Sequence, residues 1–301
     1  MDWEKDISGF KLFLKIEKSL SQNSIKSYIN DINKFIQFLD IKGLDLQADQ
    51  IKFKHIKEFL LWITELGISA RSQARIISGL KAFYKYLLIE DKINKSPLEL
   101  IESPRIGQKL PVVLTIQEID NLIANIDVSK PEGHRNRAII ETLYSCGLRV
   151  SELVNLKISN LYLKHEFIKV TGKGNKERLI PISKSAIKQI NLYNDSFRKN
   201  LKIADGYNDF LFLNRRGKSL SRVMIFNIIK DVASKVGLQK NISPHTFRHS
   251  FATHLVDGGA DLRAVQEMLG HESITTTEIY THLDQEYLRD TIVQFHPWAK
   301  K

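Results

Sequence analysis

Between residues 243 and 280 the chain carries Ser243-Pro244-His245-Thr246-Phe247-Arg248-His249, then Gly270-His271, then Tyr280. Guanidinium and imidazole groups hold phosphate oxygens through charge-assisted hydrogen bonds, and a hydroxyl can attack the phosphorus. Arg149 and Lys173 add two cations upstream, and the set then suits phosphoryl transfer without a metal. Ser243 and Pro244 spell a helix start, with serine as cap and proline at the first helical position. His245 and Arg248 fall three apart in that first turn, where free amides and the positive end of the helix dipole attract an anion. A tyrosine has a pKa of about 10, so its attack needs a proton acceptor or a cationic site that favours phenolate. Negative charge gathers on the phosphoryl oxygens in the transition state, and one preorganised donor there is worth about 3 kcal/mol. Arginine suits that clamp because its planar fork matches two oxygens and stays charged. Lysine suits an acid role because its pKa falls in a cationic, partly dry site.

Each residue also has a structural alternative. His245 could be a helix cap, Arg248 part of a surface ion pair and Arg149 a charge complement to a helix end. Lys173 could be a solvated turn residue with Lys176 as its rival, His271 could satisfy helix-end carbonyls, and Tyr280 could be half-buried core. His249 lies four after His245, which raises a metal site. Thr246 stands where His-Glu-x-x-His has its glutamate, and Arg248 would repel a cation, so no metal is expected. Gly172-Lys173-Gly174 lacks the spacing of a phosphate-binding loop, and no cofactor is expected.

The elements that must position these groups are mostly helices. In the first hundred residues one begins with Phe10, Leu12, Phe13, Leu14 and Ile16. A second carries Ile25, Tyr28, Ile32, Phe35 and Leu39 after the cap residues Ser21 to Ser24. A third covers Ile56 to Leu66 and stops at Gly67. A fourth runs from Ser69 toward Leu88 and buries Ile77, Leu80, Phe83, Tyr84 and Leu87. Its other side shows Arg71 with Arg75 and Lys81 with Lys85, candidates for DNA contact against a merely solvated face. Ser103 to Pro111, with two prolines and a glycine, reads as an extended linker, and Thr115-Ile116-Gln117-Glu118 is a capping box that opens the next helix. The expected division is a helical DNA-binding domain over 1–103, a linker over 104–112 and a catalytic domain over 113–301.

The second part is expected to be helical around a β island. Arg137 to Cys146 is a helix stopped by Gly147, and strands at 167–170 and 178–182 flank the turn 171–176. Helices follow at about Lys184–Leu201, Ser221–Val236, Pro244–Asp257, Leu262–Leu269 and from Ser273 past Tyr280. Arg215, Arg216, Lys218 and Arg222 form a basic loop and helix start that suits DNA backbone contacts. Glu152 is placed to support an arginine from behind. Leu283, Tyr287, Leu288, Ile292 and Phe295 keep helical spacing near the C-terminus.

The chain has 301 residues, 43% hydrophobic, and a net charge of +11, which favours a polyanionic partner. The excess is uneven: residues 1–103 hold 16 Lys+Arg against 14 Asp+Glu, and residues 104–301 hold 29 against 20. Cys146 is the single cysteine, so neither an internal disulfide nor a cysteine-rich zinc site can form. The charged N-terminus and the lack of a long apolar run point to a cytoplasmic setting without membrane insertion.

Five segments occur in a telling order: Gly147-Leu148-Arg149-Val150-Ser151-Glu152-Leu153, Gly172 to Arg178, His245-Thr246-Phe247-Arg248-His249, Leu269-Gly270-His271 and Tyr280-Thr281-His282. In this the chain resembles the tyrosine site-specific recombinases of the Xer group, the bacterial chromosome-dimer resolvases, over nearly its whole length. Leu20 to Ser24 and Ser69 to Ser72 resemble that group's core-binding domain. The resemblance implies a mainly α, C-shaped DNA clamp: an all-α SAM-like N-terminal domain and an α-rich catalytic domain with a small antiparallel sheet. It implies that Tyr280 is the nucleophile, forming a 3′-phosphotyrosyl link. Arg149 and Arg248 would clamp the scissile phosphate, with a further hydrogen bond from His271. Lys173 would be the general acid, and His245 would assist proton movement. It further implies strand exchange through a Holliday junction, a C-terminal helix that docks on a neighbour, and a tetramer with a second Xer-type recombinase or with itself. A division-septum DNA translocase is a further implied partner. The alternatives are an integrase of a mobile element, a type IB topoisomerase relative, and a non-catalytic DNA-binding protein.

Overall fold

The computed structural model describes residues 2–105, 107, 111–130, 132–270 and 282–300, and at 173, 282–286, 299 and 300 the backbone alone. The chain divides into two compact units, Met1–Lys109 and Leu110–Lys301.

The first unit is built from α1 (Trp3–Ile16), α2 (Gln22–Ile41), α3 (Phe53–Glu65) and α4 (Ala70–Ile89). Asp2, Ser21 and Ser69 accept backbone N–H groups at the starts of α1, α2 and α4, as N-cap residues do. The stretch expected to begin the first helix is its second half. Asp2 caps it earlier, and Leu12 and Ile16 lie exposed while Phe10 and Leu14 are buried. Aromatic rings dominate the core: Phe35 meets Phe59 edge-on at 5.1 Å and Phe10 meets Phe83 at 5.4 Å, the geometry that ring quadrupoles favour.

The second unit contains α5 (Ile116–Ala124), α6 (Gly133–Cys146), α7 (Val150–Val154), β1 (Leu161–Tyr162), β2 (Phe167–Thr171), β3 (Glu177–Pro181), α8 (Lys184–Ser196), α9 (Arg222–Lys235), α10 (Pro244–Asp257), α11 (Leu262–Leu269) and α12 (His282–Phe295). The strands form one antiparallel sheet in the order β1-β2-β3, with Ile168 opposite Ile180 and Thr171 opposite Glu177. From Ala138 to Cys146 every residue of α6 is buried, which makes it the central helix. Gly147 ends it at φ 57°, and a Cβ there would lie 2.4 Å from Cδ1 of Phe251. That close approach lets the chain turn sharply between α6 and Arg149.

α8 ends at Ser196, short of the expected Leu201, and a separate turn at Arg198–Asn200 follows. Arg198 closes that turn by donating to the carbonyl of Phe210. α12 packs on its own unit, with Leu288 and Ile292 in the core. Among the described residues, no helix is long and apolar enough to cross a membrane.

Candidate active site

Arg149 and Arg248 come from different elements of the second unit, one from the turn before α7 and the other from α10, and neighbouring backbone carbonyls hold their heads. Arg149 precedes α7 in extended backbone (φ −70°, ψ 147°). Its Nη1 donates to Oε1 of Glu152 at 2.9 Å, its own N–H to Oε2 at 2.8 Å, and Nη2 to the carbonyl of Gly270 at 3.1 Å. Arg248 lies on the buried side of α10. Its Nη1 donates to the carbonyl of Gly147 at 2.8 Å and Nη2 to that of Leu269 at 2.5 Å. Arg248 thus ties the loop that leads into Arg149 to the end of α11.

The α10 start is the one read from the sequence. Pro244 occupies its first turn, and the Ser243 N–H donates to Oγ1 of Thr246 at 3.0 Å. Phe247, Phe251 and Leu255 anchor the helix in the core. His245 and His249 are exposed on it.

Glu152 is the negative centre of this cluster. Besides Arg149 it accepts from Arg178 of β3, Nη1 to Oε1 at 2.9 Å and Nη2 to Oε2 at 3.0 Å. Burial pushes the Glu152 carboxyl up, but the hydrogen bonds and charge of Arg178, followed by the bonds from Arg149, outweigh it and leave the group below the usual carboxylate range. Burial, then the like charge of Arg149, lowers Arg248 to about 10, with Glu152 opposing and Arg178 adding to the fall. Arg248 therefore stays charged at neutral pH.

Arg178 closes the Gly172 to Arg178 segment and opens an expected strand, but its residue type alone assigns it no role. A signal was present: it shares the inward face of β3 with Ile180, two residues on, and a charged residue on such a face needs a buried partner. Lys173 stands at the tip of the β2–β3 hairpin, where Gly174 takes φ 72°; its side chain lies outside the described residues. So do His271, Tyr280 and the segment expected to be helical from Ser273.

The candidate DNA contacts differ in their surroundings. Arg71, Lys81 and Lys85 are exposed on α4. Arg75 donates to Ser27 at 2.9 Å and forms an ion pair with the buried Asp31, so its head has a structural task. Arg215, Arg216 and Lys218 are exposed in a turn where Asn214 Oδ1 accepts the N–H of Arg216 at 2.8 Å. Arg222 is exposed at the start of α9. A hollow of about 660 Å³, lined by Arg137, Glu141, Lys184, Arg289 and Trp298 among others, holds none of the candidate catalytic residues. Among the described residues, no cluster of His, Cys, Asp and Glu could hold a metal ion.

This buried-carboxylate frame with its arginines lies in the second, α-rich unit, which follows a helical unit in the sequence. The chain belongs to the phage integrase family: residues 112–287 match that family, and residues 7–91 match the phage integrase N-terminal SAM-like domain. It is 43% identical over 293 residues to the tyrosine recombinase XerD of Listeria innocua, covering 97% of this chain and 99% of that protein. Against the tyrosine recombinase XerD of Chlorobaculum tepidum it is 41% identical over 298 residues, 98% of this chain and 97% of that one. A solved structure of the XerH site-specific recombinase bound to its difH substrate in a pre-cleavage complex aligns with a TM-score of 0.68 and 26% identity, over 89% of this chain and 79% of that one.

Proposed function

We propose that this chain is a site-specific DNA recombinase of the Xer type. The observation that carries the proposal is the convergence of Arg149 and Arg248 on the carbonyls of Gly147, Leu269 and Gly270 around one buried carboxylate. A guanidinium has five N–H donors. Two on each arginine anchor its head, and in this reading the others face the non-bridging oxygens of the scissile phosphate. Tyr280 attacks the phosphorus: the Oη–P bond forms, the P–O5′ bond breaks, and the DNA is left on the enzyme through a 3′-phosphotyrosyl link. His245 takes the phenol proton, Lys173 gives a proton to the departing 5′-oxygen, and His271 adds a hydrogen bond to the phosphate. One ester replaces another, so no nucleotide is consumed. Attack by the partner strand's 5′-hydroxyl reverses the chemistry and joins the strands through a Holliday junction.

The relatives named XerD support a substrate on the bacterial chromosome, and resolution of chromosome dimers in the cytoplasm is the task that suits it. Arg71, Lys81, Lys85, Arg215, Arg216, Lys218 and Arg222 hold the duplex backbone. A tetramer with a second Xer-type recombinase or with itself, served by a division-septum DNA translocase, completes the proposed assembly. The C-terminal segment links its subunits. Leu288 and Ile292 fill the core of their own unit, whereas Tyr287 and Val293 are exposed and offer the surface for a neighbour.

A pre-nicked suicide duplex, whose cleaved fragment diffuses away, tests the chemistry. The expected result is a covalent protein–DNA adduct on a denaturing gel that Tyr280→Phe abolishes. An adduct that persists in the variant rejects the assignment.

A further inference from the structure

We infer that Arg178 is a positioning residue for strand cleavage, holding Glu152, and through it Arg149, while fixing the end of α11; this role rests on the recombinase chemistry proposed above. Arg178 grips both oxygens of Glu152 at 2.9 and 3.0 Å, and its Nε donates to the carbonyl of Met268 at 2.8 Å. The two side chains are 7% and 1% exposed. The same carboxylate receives Arg149 twice, at the side chain and at the backbone. Any tilt of the Arg178 plane therefore reaches Arg149 through one shared rigid group.

Met268 is the first of three consecutive carbonyls, each held by a different arginine. Arg178 takes Met268, Arg248 takes Leu269 and Arg149 takes Gly270. The next residue in sequence is His271. Two glycines leave room for the Arg178 head. A Cβ on Gly270 would come within 3.1 Å of its Cζ, and one on Gly172 within 3.3 Å of its Nη1. Each glycine directly precedes a residue assigned to the chemistry, His271 and Lys173. One buried plane thus meets backbone next to His271 and Lys173, and meets the carboxylate that orients Arg149. Lysine cannot replace it, because an ammonium on a flexible stem does not present three donors in a fixed plane. A site whose groups sit about 1 Å from their productive positions loses roughly a hundredfold in rate, so the support of the arginines matters as much as their presence.

The test uses the full-length chain on the suicide duplex under single-turnover conditions, with DNA affinity and melting temperature measured in parallel. Arg178→Lys retains the charge and is expected to cut about a hundredfold more slowly, with affinity within about threefold of the wild type and the fold intact. The loss should persist on a substrate with a 5′-bridging sulfur, whose departure needs little protonation, because the defect lies in the phosphate clamp. Cleavage within threefold of wild type overturns the inference. So does a rate that falls only in step with affinity and stability, or a loss that the sulfur substrate erases. If Arg178→Lys does not fold, Gly172→Ala decides: its backbone (φ −93°, ψ −160°) accepts any residue, and the new methyl, 3.3 Å from Nη1, makes the Arg178 head give way by a few tenths of an ångström. A slower cut on both substrates supports the role, and an unchanged cut removes it. Wild-type protein that forms no Tyr280-dependent adduct defeats the recombinase proposal and this inference with it, whereas normal wild-type cutting beside an unimpaired Arg178→Lys defeats the inference alone.

Discussion

Replacing Glu152 by glutamine keeps the side chain's shape and removes its charge, which exposes what the carboxylate does. Glu152 is 3% exposed. It accepts two hydrogen bonds from Arg178 and two from Arg149, all between 2.8 and 3.0 Å. The amide of glutamine would turn a donor toward guanidinium donors and leave Arg149, Arg178 and Arg248 without their counter-charge. Breaking a buried ion pair by removing one partner costs about 3–5 kcal/mol. For a unit of this size, each kcal/mol lowers the melting temperature by about 2–4 °C, so the expected drop is about 6–20 °C. Circular dichroism melts of the full chain measure it. Target duplex should restore more stability to Glu152→Gln than to the wild type, since the bound phosphate supplies the missing negative charge. The acid limb gives a second check. The folded Glu152 carboxyl lies below its usual range, so its contribution is complete above the unfolded value of about 4.3 and is lost as pH falls through the folded one. The variant should melt with a flatter pH dependence in that window. A melting temperature within about 2 °C of wild type, or equal rescue of both proteins by DNA, would refute the reasoning.

Three further substitutions probe other parts of the chain. His296 is fully buried, 4.9 Å from the Tyr144 ring and 5.7 Å from that of Phe251, and burial lowers its pKa to about 3. It is neutral when folded and takes a proton when unfolded below about pH 6.5, so stability is full above that value and falls by roughly 2 kcal/mol by pH 5. His296→Phe should remove most of that slope in pH-dependent melts. A remnant is expected from His254, also lowered by burial, and an unchanged slope would contradict the account. Arg75→Ala should destabilise the first unit by about 1–3 kcal/mol, because Asp31 is left buried and unpaired while Arg75 itself is 45% exposed. Arg71→Ala should stay within about 0.5 kcal/mol, and equal effects in urea titrations would rule out the distinction. Gly147→Ala must accept φ 57° and a Cβ 2.4 Å from Phe251, and should cost about 2–4 kcal/mol; a melting temperature equal to wild type would show that α6 and α10 do not need that contact.

Much of the frame was legible because its signals are local. The Ser243-Pro244 start, the Thr115 capping box and the Gly147 stop each act within a few residues, and α10 and α11 fall where the periodicity puts them. The elements not anticipated are too short to show a period: α7 spans five residues and β1 two. Of the expected site residues, Arg149, Arg248 and Glu152 come together in the structure, and their types and spacing are visible in the sequence. What holds them is not, because the carbonyls of Gly147, Met268, Leu269 and Gly270 belong to no side chain and every chain has carbonyls everywhere. The Arg178–Glu152 pair joins residues 26 apart in sequence across a strand and a helix, a contact that only tertiary packing creates. Arg75 makes the same point in the first unit. Its spacing from Arg71 suggested a common DNA-facing row, but Asp31 on α2 claims its head.

The central claim is that the chemistry runs through one phenol supported by the two framed arginines. Digesting the trapped protein–DNA adduct and sequencing the DNA-linked peptide by mass spectrometry tests it most directly. Attachment at Tyr280 alone, lost in Arg149→Ala and in Arg248→Ala, is the predicted result. A linkage to any other residue, or one that survives removal of either arginine undiminished, would contradict it.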